Sequence, residues 1–391
     1  IRRFRVKARK AAQAQSKLKK VEKLQAELSK VQDAASGARP CFTNVAPIHP
    51  PNVEKHPVQE RERTLADVAK VCEQLNQIGS TVIYFQDERH GLEDSGEPTD
   101  EALAEFRKWL PSRYANIAAL NKAWGSEFAG FDDVVPAMTK GWKADEHASL
   151  APWLEWRLWA LHEVLKIDRA AAAMIRDRVT QDAYLGLEGI FGLGGHNIPY
   201  GGIDLWEQSQ ACFNTAAPYG EDLVNGARSF YDGPIMSWSG YGRDYSEYER
   251  YIWGMTLQGH WSLGWWYGLC FYHPWDCWYQ PAAWVNTLTR PLREGVGDLL
   301  LLNRPILSEP IAFLYSQPSL YAMGVLGQEV NANNPNLLVR PAEWARISLQ
   351  RMLQDQGVQF GFISEAQLQQ GQYGGIKLLI LSSSVAIAPQ T

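Results

Sequence analysis

A pair of carboxylates closing an apolar run is the part of this chain best suited to chemistry. Residues Thr81-Val-Ile-Tyr-Phe-Gln-Asp-Glu-Arg-His90 read as a short buried strand, Val82 to Phe85, that stops at Asp87 and Glu88. A loop marked by Gly91 and Gly96 comes next, and a helical pattern begins near Thr99. A carboxylate at the C-terminal end of a buried strand, ahead of a loop and a helix, stands where β/α folds keep their working acids and bases. Glu88 is therefore the candidate general acid. Asp87 beside it would raise its proton affinity by like-charge repulsion, which suits an acid. Arg89 and His90 flank the pair, and either could tune Glu88 or bind substrate.

The elements that must position these groups alternate from Cys41 onward. Strands are predicted at Cys41–Ile48, Thr81–Phe85, Ala183–Phe191, Ala211–Thr215, Pro234–Trp238 and Ser262–Phe271. Helices are predicted at Leu65–Ile78, about 100–122, 152–178, Glu221–Phe230, Tyr245–Gln258 and Pro281–Leu302. Strand alternating with helix implies a parallel sheet with right-handed crossovers. The reading is a (β/α)8 TIM-type barrel over residues 37–304 that shows six strands and lacks its first ones. Near Pro305 the rhythm restarts with a strand at Ile311–Tyr315, a helix at Glu343–Gln356 and strands at Val358–Ile363 and Ile376–Leu381. That opens a doubly wound, flavodoxin-like domain over 305–391. The first residue is Ile and the last strand ends close to Thr391, so both ends read as cut.

Residues 1–36 differ from the rest. The first thirty hold eleven Lys or Arg against Glu22 and Glu27, in a chain whose net charge is −5. Phe4, Leu18, Val21, Leu24, Leu28 and Val31 recur at a helical period, giving a basic amphipathic helix or half of a coiled coil. Any nucleic-acid contact belongs to this segment alone; a solvated charged face is the plainer reading. Arg2 to Lys23 also resembles the stretch leading into the inter-domain linker of ABC-F ATPases, but no glycine-rich phosphate loop accompanies it.

Bulk composition narrows the class further. No apolar run approaches the roughly 20 residues needed to cross a bilayer. The five cysteines (Cys41, Cys72, Cys212, Cys270 and Cys277) show neither a disulfide framework nor metal-ligand spacing, which favours a reducing compartment such as the cytoplasm. No metal and no cofactor is implied. Sixteen Trp and sixteen Tyr fit a site that stacks aromatic faces on sugar rings, and equally a Trp-rich core.

The segment Phe106-Arg-Lys-Trp-Leu-Pro-Ser-Arg-Tyr-Ala-Asn-Ile-Ala-Ala-Leu-Asn-Lys-Ala-Trp-Gly125 resembles the helix that follows the acid-bearing strand in family 42 glycoside hydrolases, the β-galactosidase type. By its own chemistry it is a helix whose Phe106, Trp109, Leu110, Tyr114, Ile117 and Leu120 pack on the barrel. The tail from Ile311 is similar to the flavodoxin-like trimerisation domain of that family, which implies a homotrimer. The resemblance implies a β-linked sugar as substrate and two carboxylates. One protonates the glycosidic oxygen while the other stabilises or attacks the sugar carbon from the opposite face.

Glu88 matches the family's acid, with Asp87 where that family usually has Asn. The family's nucleophilic Glu has no counterpart, because Ser237 or Trp238 stands in its place within Pro234–Tyr241. Glu188, in Tyr184-Leu-Gly-Leu-Glu-Gly-Ile-Phe191, is the best substitute: a lone acid at the end of an apolar strand, between glycines. Such an acid costs desolvation unless paired, so a site role and a salt bridge to a nearby Arg stand level. A carboxyl separation of about 5–5.5 Å would imply retention of configuration, and about 6.5–9.5 Å inversion. Glu207 and Asp244 read as helix-surface or loop acids. His49, His196, Trp238, Trp266 and His273 are the further candidates for lining a sugar cleft. Of Trp265 and Trp266 only one can face the barrel mouth, and the two histidines past residue 190 could equally be loop-stabilising. The reading of another class is a non-catalytic carbohydrate-binding barrel that has lost its nucleophile.

Overall fold

The computed structural model describes residues 43–45, 53–78, 82–86, 97–137, 149–190, 204–211, 213–215, 217–218, 228–231, 233, 235–239, 244–260, 262–265, 272–273, 277–278, 280–302, 310–326, 341–382 and 384–387. The first part runs β1 (Thr43–Val45), α1 (Pro57–Ile78), β2 (Val82–Gln86), α2 (Asp100–Trp109), α3 (Ile117–Trp124), α4 (Ala151–Arg178), β3 (Tyr184–Ile190), α5 (Leu205–Ala211) and β4 (Ala217–Pro218). Strands β1 to β4 form one parallel sheet in chain order. Next come β5 (Met236–Ser239), α6 (Tyr245–Leu257) and β6 (Ser262–Trp265), with β5 and β6 also parallel and β5 lying against β4. A two-residue antiparallel ladder of β7 (Tyr272–His273) and β8 (Cys277–Trp278) precedes α7 (Gln280–Pro291) and α8 (Gly297–Leu302).

Local chemistry sets the helix limits. Thr99 caps α2 through a bond from Ala102 N, with Asp100 and Glu101 in the first turn and Arg107 and Lys108 in the last, matching the helix dipole. The predicted helix over 100–122 is in fact broken. Pro111 tightens Leu110–Ser112 into a 3-10 turn, Asn116 caps a second helix, and Gly125 closes that one at φ 69°. The family-like segment Phe106–Gly125 also packs elsewhere than expected. Phe106, Leu110, Leu120 and Trp124 join Trp156, Trp159, Ala160 and Val164 of α4 in one cluster, so their support is the long outer helix and not the strand wall. The ring of Phe106 meets Trp156 and Trp159 edge-on at 5.1 and 5.7 Å.

Helix α4 is buried on more than one side, with Glu155, Arg157, Glu163 and Asp168 among its buried residues. One side serves the aromatic cluster. The other presents Leu161, Leu165, Ala172 and Ile175 to Val68, Val71 and Leu75 of α1 and to Ile83, Phe85, Leu185 and Leu187 of the sheet. Four of its charged residues are in ion pairs: Arg157 with Glu54 at 2.7 Å, Glu155 with Arg113 at 3.1 Å, and Glu163 with Lys166 at 2.8 Å.

The predicted strand Ala211–Thr215 is corrected. Helix α5 runs to Ala211, Phe213–Thr215 is extended without being a ladder strand, and the paired residues are Ala217–Pro218. Of the predicted helix Glu221–Phe230, residues 228–230 are helical and the remainder lies outside the described residues. The predicted helix Pro281–Leu302 is interrupted by a wide turn at Leu292–Val296, where Gly295 takes φ 114°.

Beyond residue 310 a second parallel sheet forms from β9 (Ile311–Tyr315), β10 (Gly361–Ser364) and β11 (Leu378–Ile380), with β9 in the middle. Its helices are α9 (Gln317–Leu326), which the sequence pattern does not announce, α10 (Pro341–Asp355) and α11 (Glu365–Gln369), the last opened by a Ser364–Gln367 capping box. Phe313, Tyr315, Leu320, Tyr321 and Phe362 belong to the same apolar cluster as the first sheet's Ile83 and Leu185.

The buried Arg157–Glu54 pair yields a test. Glu54→Leu takes the paired carboxylate away from a guanidinium with 0% exposed side chain, and should cost about 3–5 kcal/mol by denaturant unfolding. Adding Arg157→Met should restore most of that loss; equal destabilisation by single and double variants would show the pair is not the support described.

Candidate functional site

The candidate site is the C-terminal edge of the first sheet. In the β2–β3 ladder Val82 stands opposite Tyr184, and the register runs on to Gln86 opposite Glu188. On its other side Glu188 pairs with Ala217, and the ladder slips between Glu188 and Ile190. Adjacent strands lie about 4.8 Å apart, so Glu188 emerges one strand spacing from the end of β2. A bulge at such a point re-aims the side chains around it.

Among the predicted site residues, the backbones of three are described. Glu188 lies on β3, Trp238 on β5 opposite Gly264 of β6, and His273 on β7 opposite Cys277. His273 thus sits in a ladder and not in the loop foreseen for it. Asp87, Glu88, Arg89, His49, His196 and Trp266 lie outside the described residues, as does the segment 1–36 for which a helix is expected. Asp244 and Asp204 are helix caps: Asp244 Oδ1 accepts from Glu247 N, and Asp204 Oδ1 from Glu207 N, both at 3.0 Å. Among the described residues no group of His, Cys, Asp and Glu could hold a metal ion, and no helix is long and apolar enough to cross a membrane.

Strand β3 is held on its β4 side before that pairing begins. Asn214 Oδ1 accepts from Leu185 N at 2.8 Å, and Leu185 O accepts from Asn214 N and Thr215 N at 3.0 and 3.2 Å. Thr215 is fully buried. The approach is close enough that a Cβ on Gly186 would lie 2.4 Å from Thr215 O.

Behind this edge runs a buried polar chain that sequence reasoning missed. Gln208 on α5 donates to Asp168 Oδ2 at 3.4 Å and accepts from Tyr231 OH at 3.4 Å. Tyr315 OH accepts from Leu205 N at 3.0 Å and donates to Gln317 at 2.8 Å. Burial pushes Asp168 up to about 8. It also pushes Asp204 up to about 7, aided by Glu207 and opposed by the amides of the helix it caps. Glu207, exposed on α5, is raised by the desolvation of its surroundings against the pull of Arg169 and Arg113. The signal was available: Asp168 falls on the helical stripe of Leu161, Leu165, Ala172 and Ile175, where an apolar residue belongs. Asp168, Gln208, Leu205 and Tyr315 link α4, α5 and β9 through these bonds.

The architecture is a parallel α/β one. Within that class, residues 50–185 match a family model described as beta-galactosidase, which bears out the family 42 resemblance over that segment. The fold is shared with solved structures at low identity. The beta-galactosidase from the psychrophilic Marinomonas ef1 superposes with a TM-score of 0.61 at 14% identity, over 85% of this chain and 56% of that one. The beta-galactosidase from Bacillus circulans sp. alkalophilus gives 0.61 at 15%, over 83% and 50%. An apo exo-carrageenase of the same family from Bacteroides ovatus gives 0.58 at 16%, over 81% and 48%. This chain thus spans about half the length of those structures. No curated protein matches it by sequence.

The raised Asp168 fixes the sign of a pH effect. Its folded proton affinity is higher than that of an unfolded Asp, so folding takes up a proton between about pH 4 and 8. Stability should therefore be greatest below that window and fall as pH rises through it, by at most about 1.4 kcal/mol per pH unit for this group. Asp168→Asn should flatten the slope, read as melting temperatures at pH 5 and pH 8; an unchanged slope would mean Asp168 ionises normally.

Proposed function

We propose that this chain carries a β-glycosidase site of the family 42 type, with Glu88 as general acid/base and Glu188 as its partner. The supporting observation is the register that sets Glu188 beside Gln86, two residues ahead of Glu88. Alternation strengthens it. Ile83, Phe85, Leu185 and Leu187 pack toward α1 and α4, so positions 86 and 188 take the opposite face of the sheet. Position 88 shares that face where the chain stays extended. Two carboxyls there meet the need of glycoside cleavage for a proton on the leaving oxygen and negative charge under the oxocarbenium-like carbon.

The sheets fit a (β/α) barrel over 37–304, since β1 to β6 follow one another in chain order and are parallel within each ladder. The order of the second sheet, with its first strand between the second and third, fits the start of a flavodoxin-like domain over 305–391. By family analogy that domain would serve trimerisation. The substrate is a β-linked sugar, with Asp87, His49, Arg89, His196, Trp238, Trp266 and His273 as lining residues, and the catalysis needs no cofactor. The 1–36 helix takes no part in the chemistry.

One observation favours a binding role instead: β5 spans Met236–Ser239 and offers no carboxylate where the family keeps its nucleophile. Aryl β-galactosides separate the readings. Hydrolysis by the wild type, reduced about 10²–10⁴-fold in kcat by Glu88→Gln and most for poor leaving groups, supports the glycosidase. Glu188→Gln should be comparably impaired for all leaving groups. Sugar binding without turnover in the wild type would leave the binder, and full activity in either variant removes that residue from the site.

A further inference from the structure

We propose that Asn214 is a positioning residue for Glu188, acting with the absent side chain of Gly186; the inference rests on Glu188 being the second carboxylate. An acid at a strand end is only as well placed as the strand beneath it. On the β2 side, β3 is fixed by five register pairs from Val82–Tyr184 to Gln86–Glu188. On the other side, backbone pairing with β4 begins only at Glu188 itself and slips within two residues. Three residues earlier, the amide of Leu185 would face no strand carbonyl, and a buried amide without an acceptor is costly. The Asn214 side chain supplies that acceptor at 2.8 Å.

The same segment returns two backbone N–H groups to the Leu185 carbonyl, so Leu185 is clasped at both its polar atoms. Asn214 is itself anchored, since Gly233 N donates to Asn214 O at 2.7 Å. The contact is tight: a Cβ on Gly233 would lie 2.1 Å from that oxygen, and one on Gly186 2.4 Å from Thr215 O. Both glycines are thus required by backbone proximity. The clasp stands in for a missing length of β-ladder and fixes β3 just ahead of the bulge that carries Glu188. A side-chain acceptor and a glycine gap therefore do what a neighbouring strand would otherwise do.

The test is a kinetic series on aryl β-galactosides. Asn214→Ala removes the acceptor and should lower kcat about 10–100-fold with KM within threefold, the pattern of misplacement by about 1 Å. Asn214→Asp keeps an acceptor oxygen and should recover most of kcat. The acidic limb of the pH–rate profile, which reports the catalytic carboxylate, should move in the Ala variant and return in the Asp variant. In a Glu188→Gln background, Asn214→Ala should add little. Gly186→Ala, pushing Thr215 away from β3, should reproduce the kcat loss and serves if Asn214→Ala does not fold. Equal losses with and without Glu188, or a loss confined to KM or to melting temperature, would overturn the proposal. Wild-type rates in Glu188→Gln alone would instead remove its premise, an outcome that the single variant distinguishes.

Discussion

A parallel pair of strands can form only if the chain travels back to its starting edge, and that return must bury what it carries. Here β2 and β3 are joined through α2, α3 and the 28-residue helix α4. Everything else leans on α4. Its aromatic side holds the two short helices, its aliphatic side closes the sheet, and its charged residues reach partners on both. The cost of burying those charges is offset by close pairing, as in Arg157–Glu54, where neither side chain is more than 3% exposed. The ladder that brings Glu188 to the end of β2 is therefore a product of how this one helix is seated.

The edge so formed is asymmetric. Toward β2 it is ordinary ladder; toward β4 it is improvised from an asparagine side chain, two backbone amides and two glycine gaps. Irregularity of that kind gathers where a fold has to present a group and not merely pack it. The buried carboxyl of Asp168 and the half-buried one of Asp204 belong to α4 and to the start of α5. Their raised proton affinities come from burial, so a perturbed acid in this molecule is not by itself a sign of the site.

Much of this was legible in the sequence. Strands β2, β3, β5, β6 and β9 and helices α4 and α6 came from apolar runs and helical periods that packing then reinforced. The family likeness came from Phe106–Gly125, although its partner surface did not, because periodicity gives a buried face without saying what covers it. The break in the 100–122 helix was written in Pro111 and Asn116. The fourth strand was misplaced because Ala211–Thr215 is apolar enough for a strand, while its bonds to Leu185 mix two backbone amides with one side chain, a pattern with no period to read. Helix α9 went unseen, although its Leu320 and Tyr321 join the large apolar cluster. Glu188 was found as an odd acid between glycines; what holds it, Asn214, carried no local signal at all.

The three-stranded sheet shares its interior with the first: Phe313, Tyr315 and Phe362 sit in the cluster that holds Ile83 and Leu185, and Phe362 N donates to Ser229 Oγ just ahead of β5. A border expected in the chain near residue 305 would thus be one of strand pairing but not of cohesion. Heat should dissolve both sheets in a single calorimetric transition, and a protease nicking the chain there would release no autonomous half, because each would bare the aromatic rings that the other now covers.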